Sequence, residues 1–274
     1  LPIASLCTVP VITGGSTKQI ATETDYLPHV VACEHGSATA PATLEAQVVA
    51  ARTYAYYKVT IEKKSLTDGQ GDQVYSCSGR NLEDLSASQQ SRIKAAVSKT
   101  KGQILVHGST LIAAFYVAGT KTTNASCKPS AGQGTYTEKY VTYNEGKSGS
   151  AVTPSSLGSS SSPRNRGCMS QWGALCLAQT KGYDYQQILR FYYGADIRLE
   201  GTTGSCGGTA PPTCVPVPER CNGKDDDCDK IIDNGDPGGG AVCVTSKLGA
   251  CRLGLTRCQG GSLACAQTVF PRTE

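Results

Sequence analysis

The segment from Tyr26 to Tyr57, YLPHVVACEHGSATAPATLEAQVVAARTYAYY, decides how the rest of the 274-residue chain is read. From Thr43 onward it is Ala-rich, and Leu44, Val48, Ala51 and Ala55 recur at spacings of three and four, which places them on one buried stripe of a helix. Thr39 or Ala40 is expected to open that helix, with Pro41 in the first turn, where a missing N–H goes unused. A shorter periodic run from Asp25 to Cys33 leads to Glu34, His35 and Gly36, so Glu34 falls at a helix end or in the tight turn that follows. Such a place can aim a side chain into a cleft. Taken alone, Glu34 reads first as a solvated surface charge.

Composition bounds the setting. The chain carries 26 Lys and Arg against 22 Asp and Glu, a net charge of +4, and the imbalance is uneven. Residues 1–205 hold 19 basic against 14 acidic side chains, whereas 206–274 hold 7 against 8. A mildly basic body suits an anionic polymer such as cell wall and is too dispersed for nucleic acid. No apolar run approaches the ~20 residues of a membrane span. The chain opens at Leu1 without a basic, then apolar leader, so a signal peptide is expected to have been removed already. Fourteen cysteines, an even number, favour an oxidising location, whether extracellular, at the cell surface or periplasmic. Cys7, Cys33, Cys77, Cys127, Cys168 and Cys176 are scattered, while Cys206, Cys214, Cys221, Cys228, Cys243, Cys251, Cys258 and Cys265 crowd together, so each group is expected to close its own bridges.

Along the chain, residues 1–22 read as an extended segment or edge strand pinned through Cys7, and 66–85 as a turn-rich stretch with DQVYSC as a short strand. A helix is expected over about Ser86–Thr100, closed by Gly102. QILVH and TLIAAFYVA then flank His107, Gly108 and Ser109 as a hairpin. Periodicity vanishes from Gly119 to Gly167, a long loop of the kind that is functional or mobile. A helix over Ser170–Thr180 stopped by Gly182, and a second one capped by Asp184 and Gln187 and ending at Gly194, restore order. Trp172, Leu175, Ile188, Leu189 and Tyr192 are expected to pack that pair onto a sheet. The whole is an α+β domain over residues 1–205, a Pro-rich linker over 206–218 and a small disulfide-rich module over 219–274.

Three blocks carry a resemblance. LEAQVVAARTYAYY, then RIKAAVSKTKGQILVHGSTLIAAFYVA from Arg92 to Ala118, then RGCMSQWGALCLAQTKGYDYQQILRFYYGADIRL from Arg166 to Leu199 resemble, in order, the signature helix, the helix with hairpin, and the MSQYGA block of SpoIID-type proteins, the sporulation lytic transglycosylases and related amidase enhancers. The resemblance implies that the glutamate of VVACE, Glu34, is the acid/base of glycan-strand cleavage, acting without a second carboxylate, since Glu45 sits where the family tends to have lysine. Arg52, Tyr116, Gln171 and Trp172, within the matching blocks, become candidates for gripping the glycan. Two departures stand out. AAFYVAGTK and PRNRGCMSQWGA put Tyr116 and Asn165 near the places where some members have zinc-binding histidines, and His29, His35 and His107 lack zinc-site spacing. No zinc is therefore expected in the first domain, with disulfides drawn from Cys33, Cys127, Cys168 and Cys176 as its brace.

The tail, ERCNGKDDDCDKIIDNGDPGGG followed by CVTSKLGACRLGLTRCQGGSLACAQ, has too little apolar material for a core. It resembles a cysteine-rich metal-binding repeat found in secreted proteins of soil-dwelling bacteria such as myxobacteria. Asp225, Asp227, Asp229 and Asp233 alternate as oxygen ligands do in calcium loops, although Lys230 stands where glycine is usual, and Cys221 and Cys228 are expected to close the loop. The leading reading is a secreted protein that cleaves peptidoglycan glycan strands and binds calcium through its tail. Its rivals are a non-catalytic glycan-binding module or amidase enhancer, and a structural extracellular protein that joins other surface proteins through its cysteine-rich repeats.

Overall fold

The computed structural model of the protein describes residues 3–130, 134, 136–204, 219–222, 233, 235–245, 252–259 and 261–267. Gly14 and Gly15 take φ of 58° and 79°, a pair that glycine adopts without steric cost, and turn β1 (Thr8–Thr13) back onto β2 (Ser16–Ala21). The single extended segment expected here is thus an antiparallel hairpin. A short β3 (Leu66–Thr67) pairs in parallel with β1. DQVYSC forms no strand, because the side chain of Asp68 takes the N–H groups of Tyr75 and Ser76 that a ladder would need.

Two helices follow the hairpin, α1 (Leu27–His35) and α2 (Pro41–Tyr56), the latter opening with Pro41 after an extended Ala40 as its sequence implies. α3 (Ala87–Lys99) starts at a reciprocal Ser86–Gln89 capping box and leads to Gly102, at φ 69°. β4 (Gln103–His107) is the centre of a three-stranded sheet between β5 (Thr110–Leu111) and β8 (Ile197–Gly201). The expected second hairpin strand divides at this point. Ile112 N–H still donates to the Leu105 carbonyl, but Ala113 N–H donates to the Arg164 carbonyl and the Arg164 guanidinium to the Leu111 carbonyl, both at 2.8 Å, so residues 113 and 114 leave the sheet. Phe115–Val117 then becomes β6, in parallel register with β7 (Cys168–Ser170).

α4 (Gln171–Lys181) is capped by Ser170 and stopped by left-handed Gly182, and α5 (Tyr185–Tyr193) carries the Asp184–Gln187 box. The segment from 119 to 167 has only short 3₁₀ turns among its described residues, yet it is anchored. Asn144, fully buried, donates to the carbonyls of Tyr192 and Thr153, at 2.8 and 3.0 Å, and accepts from Thr153 N–H, which supplies the partners that a sheet would otherwise give.

Nothing on α2 from Thr43 to Tyr56 reaches solvent to any extent. Leu44, Val48, Ala51 and Ala55 face a core shared with α1 and α3, as the stripe implies, while Ala46, Val49 and Ala50 face a second core formed with α4, α5 and β4. Small side chains permit this double burial, and most polar ones are satisfied inside, although the Gln47 amide has no partner among the described residues. Thr53 Oγ1 donates to Val49 O at 2.6 Å and accepts from Leu105 N–H at 3.0 Å. Arg52, at 0% exposure, holds Glu23 through two bonds of 2.7 Å and donates to Gln103 O at 3.2 Å.

The chain clusters into two units, Leu1–Ala210 and Pro211–Glu274, and the expected linker at 206–218 lies outside the described residues. In the second unit β9 (Val242–Val244), β10 (Leu253–Gln259) and β11 (Ser262–Gln267) form an antiparallel sheet, with bridges Cys243–Cys265 and Cys221–Cys258. The expected closure by Cys221 with Cys228 is therefore wrong. Cys206, Cys214, Cys228 and Cys251 lie outside the described residues. Among the described residues no helix is long and apolar enough to cross a membrane.

Removing one partner of a buried ion pair strands the other charge in a poor solvent. Glu23→Ala is expected to lower stability by about 3–5 kcal/mol in urea unfolding, and the joint change Glu23→Leu with Arg52→Met to recover most of that loss.

Candidate active site

Glu34 stands in the last turn of α1, where Gly36 closes the helix. A Cβ on Gly36 would lie 2.5 Å from Ala32 O and 2.9 Å from Leu85 Cδ1, so the close approach of this helix end to Leu85 favours glycine. Cys33 is bridged to Cys77, which ties the residue before the carboxylate to the far end of the 68–77 loop. This corrects the expected bond from Cys33 to Cys127, Cys168 or Cys176. Cys127 pairs with Cys176, and Cys168 is a buried free thiol in β7 whose ionisation burial pushes up. Cys7 is also bridged, to none of the other five, so four of the first six cysteines pair among themselves and the expected closed set of six does not form.

The 68–77 loop is held from both ends and the middle. Asp68 accepts from Thr13 Oγ1 as well as from Tyr75 and Ser76, and Asp72 accepts from Tyr54 Oη, from Thr67 N–H and from the Lys58 ammonium at 2.6 Å. Between them Gln73, 1% exposed, accepts from Tyr26 Oη at 2.5 Å and donates to Ala51 O and Tyr116 Oη at 3.1 and 2.8 Å. The next N–H, of Val74, is thereby aimed at Glu34 and donates to its Oε1 at 3.0 Å. From the other side β6–β7 pairing delivers the start of α4, where Gln171 Nε2 donates to Glu34 Oε2 at 3.2 Å.

Glu34 and Gln171 border a cleft of about 360 Å³, lined also by His35, Arg80, Gln89 and Trp172 among others. Burial raises the pKa of Glu34 above the usual carboxylate range, against the opposing pull of Val74 N–H, Gln171 and the Arg80 guanidinium. His35 packs edge-on against Trp172 at 5.4 Å, its Nε2 has no partner among the described residues, and burial pushes its pKa down to about 4, so it is neutral at pH 7. The Lys121 ammonium sits 5.2 Å from the Trp172 ring. A carboxyl that favours its proton, in an open cleft among amides, an indole and an arginine, can donate that proton to a bound ligand and take one back.

Of the residues expected to grip a ligand, Gln171 and Trp172 join Glu34 in the cleft. Tyr116 does not line it, because its hydroxyl is engaged by Gln73 and its ring borders a neighbouring cavity. Arg52 belongs to the buried core, with its guanidinium consumed by Glu23, and is corrected to a structural residue. Sequence reasoning missed Arg80, Gln89 and the Gln73–Val74 pair. The parity of the cysteines pointed only to Cys77 having a partner somewhere. Asn165, near where relatives place histidine, donates to Ser155 O and Ser159 O and pins the loop. His29 is held by Asp25 and Glu83, and His107 by Asp196.

Of the expected calcium ligands, Asp225, Asp227 and Asp229 lie outside the described residues. Asp233 accepts from Asn222 N–H at 2.9 Å. Cys221 and Cys258 approach it closely, but their sulfurs are joined to each other and offer no thiolate.

Residues 15–107 match the model of the SpoIID family, described as stage II sporulation protein. The matched span runs from the first hairpin through β4 and so contains Glu34, α2 and the 68–77 loop, and the family it matches is associated with cell-wall and sporulation function. Gln171 and Trp172 lie beyond it. No curated protein matches the chain.

Because the folded pKa of Glu34 is raised, folding favours its protonated form, and the resulting stability is present at low pH and lost as pH rises through the folded value. Glu34→Gln, which removes the buried charge, is expected to melt higher than the wild type at neutral pH. That gain should vanish below about pH 4, where the carboxyl is protonated in both states.

Proposed function

We propose that the first unit cleaves peptidoglycan glycan strands as a lytic transglycosylase, with Glu34 as the single acid and base. The observation that carries this reading is a carboxyl of raised pKa, held by Val74 N–H and Gln171, on the wall of a cleft. The protonated Glu34 gives its proton to the glycosidic oxygen as that oxygen leaves C1 of the muramoyl residue. The resulting carboxylate takes the proton of the muramoyl 6-hydroxyl, whose oxygen bonds to C1 and closes a 1,6-anhydro ring. Glu34 ends as it began, and no water is consumed. Hydrolysis would ordinarily need a second carboxylate at a fixed separation. Among the described residues lining the cleft, Glu34 alone is acidic. Trp172 supplies a flat apolar face for a sugar ring and Gln171 keeps the carboxyl in place.

Peptide-free glycan strands incubated with the protein should yield fragments ending in 1,6-anhydromuramic acid, identified by mass. Glu34→Gln, which keeps the shape without the transferable proton, should cut the rate by about 10²–10⁴-fold. Equal products from wild type and variant would remove Glu34 from the chemistry. Absence of products from both, with strands still bound, would leave the glycan-binding or amidase-enhancing reading. The disulfides favour work outside the reducing cytosol, on the cell surface or beyond it.

For the second unit we propose calcium binding through Asp225, Asp227, Asp229 and Asp233, supported by their alternation in the sequence and by the preference of this hard cation for oxygen ligands. An ion that binds only the folded form stabilises it by roughly 2.7 kcal/mol at a hundredfold excess over Kd. The melting transition of the tail in the full chain should therefore rise with calcium and fall with chelator, and Asp227→Asn should blunt both responses. Indifference to calcium and chelator would leave the disulfides as the only staple.

A further inference from the structure

Beside the Glu34 cleft lies a second cavity of about 150 Å³, walled by Tyr54, Gln70, Asp72, Phe115, Tyr116 and Leu157. The same two chain segments run past both cavities. In the loop after β3, residues 70–72 border the second cavity, Val74 N–H meets Glu34, and Arg80 borders the cleft. In β6 and just after it, Phe115 and Tyr116 border the cavity and Ala118 borders the cleft. The Tyr116 hydroxyl, through Gln73, is one residue removed from the N–H that holds Glu34.

The lining has the chemistry of saccharide recognition. Tyr54 and Phe115 pack with ring centroids 6.0 Å apart, giving apolar faces for the C–H side of a pyranose. Asp72 is fixed by Tyr54, Lys58 and Thr67 and presents a carboxylate of lowered pKa that still has acceptor capacity. Gln70 is exposed, and its amide offers two donors and an acceptor to a ligand. Leu157, 40% exposed, is brought to the rim by the anchored 119–167 segment, which otherwise has no assigned role. A few fixed polar groups among aromatic walls are what orient a small ligand.

We propose that this cavity is a second saccharide subsite, which takes a sugar of the same strand next to the bond presented to Glu34. The proposal rests on the glycan-strand reading of the Glu34 cleft. It makes the protein a reader of several consecutive sugars, with the 68–77 loop bridging two subsites.

The test is direct binding of a peptide-free glycan octasaccharide by calorimetry, with the full chain carrying Glu34→Gln so that strands stay intact. Gln70→Ala combined with Leu157→Ala, both at exposed positions, should raise Kd about tenfold with an unchanged melting temperature. Gly71→Leu fills the cavity instead of stripping it. Its Cβ would meet no atom within 4 Å, so the fold should survive while Kd again rises. A Kd within about twofold of the parent in both variants would overturn the subsite, whatever the product assay on Glu34 shows. Weaker binding in both variants, alongside a protein that releases no anhydro products, would keep the subsite and remove the catalytic reading.

Discussion

Burial of α2 on every side is the constraint from which the first unit follows. A helix with no solvent face must be lined with small residues so that neighbours can approach, and most polar groups on it find a partner within the protein, the Gln47 amide being the exception among the described residues. Arg52 does so by drawing Glu23, from the turn before α1, against Thr100, which closes α3, and the Gln103 carbonyl, which opens β4, so one guanidinium links three parts of the chain. The Gln73 amide reaches the Ala51 carbonyl on the same helix. Through that bond α2 fixes the loop whose next N–H holds Glu34.

The site is therefore assembled from outside α2 but registered on it. Glu34 pays for its placement with desolvation, which Val74 N–H, Gln171 and Arg80 offset only in part. A carboxyl fully compensated by donors would be a stable anion and a poor acid, and one without donors would swing freely. The Cys33–Cys77 bridge limits that freedom at the residue before Glu34, where the loop has only an isolated bridge between Asp68 and Gln73 in place of a ladder.

The local elements were legible where a single short-range rule governed them. Pro41 at the head of α2, the Asp184–Gln187 box and left-handed Gly182 follow from backbone chemistry within a few residues. The Gly14–Gly15 hairpin is equally local, its turn made by two glycines at positive φ, although the segment reads in sequence as a single extended stretch. Features set by distant partners were not legible. Arg52 sits in a motif that suggests a ligand-binding cation, and only the position of Glu23, twenty-nine residues earlier, makes it structural. The break after Leu111 depends on Arg164, fifty-three residues away, and the pairing of Cys33 with Cys77 depends on the path of a loop with no periodicity. Glu34, Gln171 and Trp172 were found through resemblance, whereas Arg80 and Gln73 carry no motif and emerge from the fold alone.

The central claim is that the fold holds Glu34 as an acid, and its titration tests this most directly. Carbon-13 NMR of the side-chain carboxyl, assigned by its loss in Glu34→Gln, should give a pKa above the ordinary glutamate value of about 4.3. Gln171→Ala, which removes a donor to the ionised form, should move it higher still. A Glu34 that titrates at or below the ordinary value, unmoved by the loss of Gln171, would contradict the account.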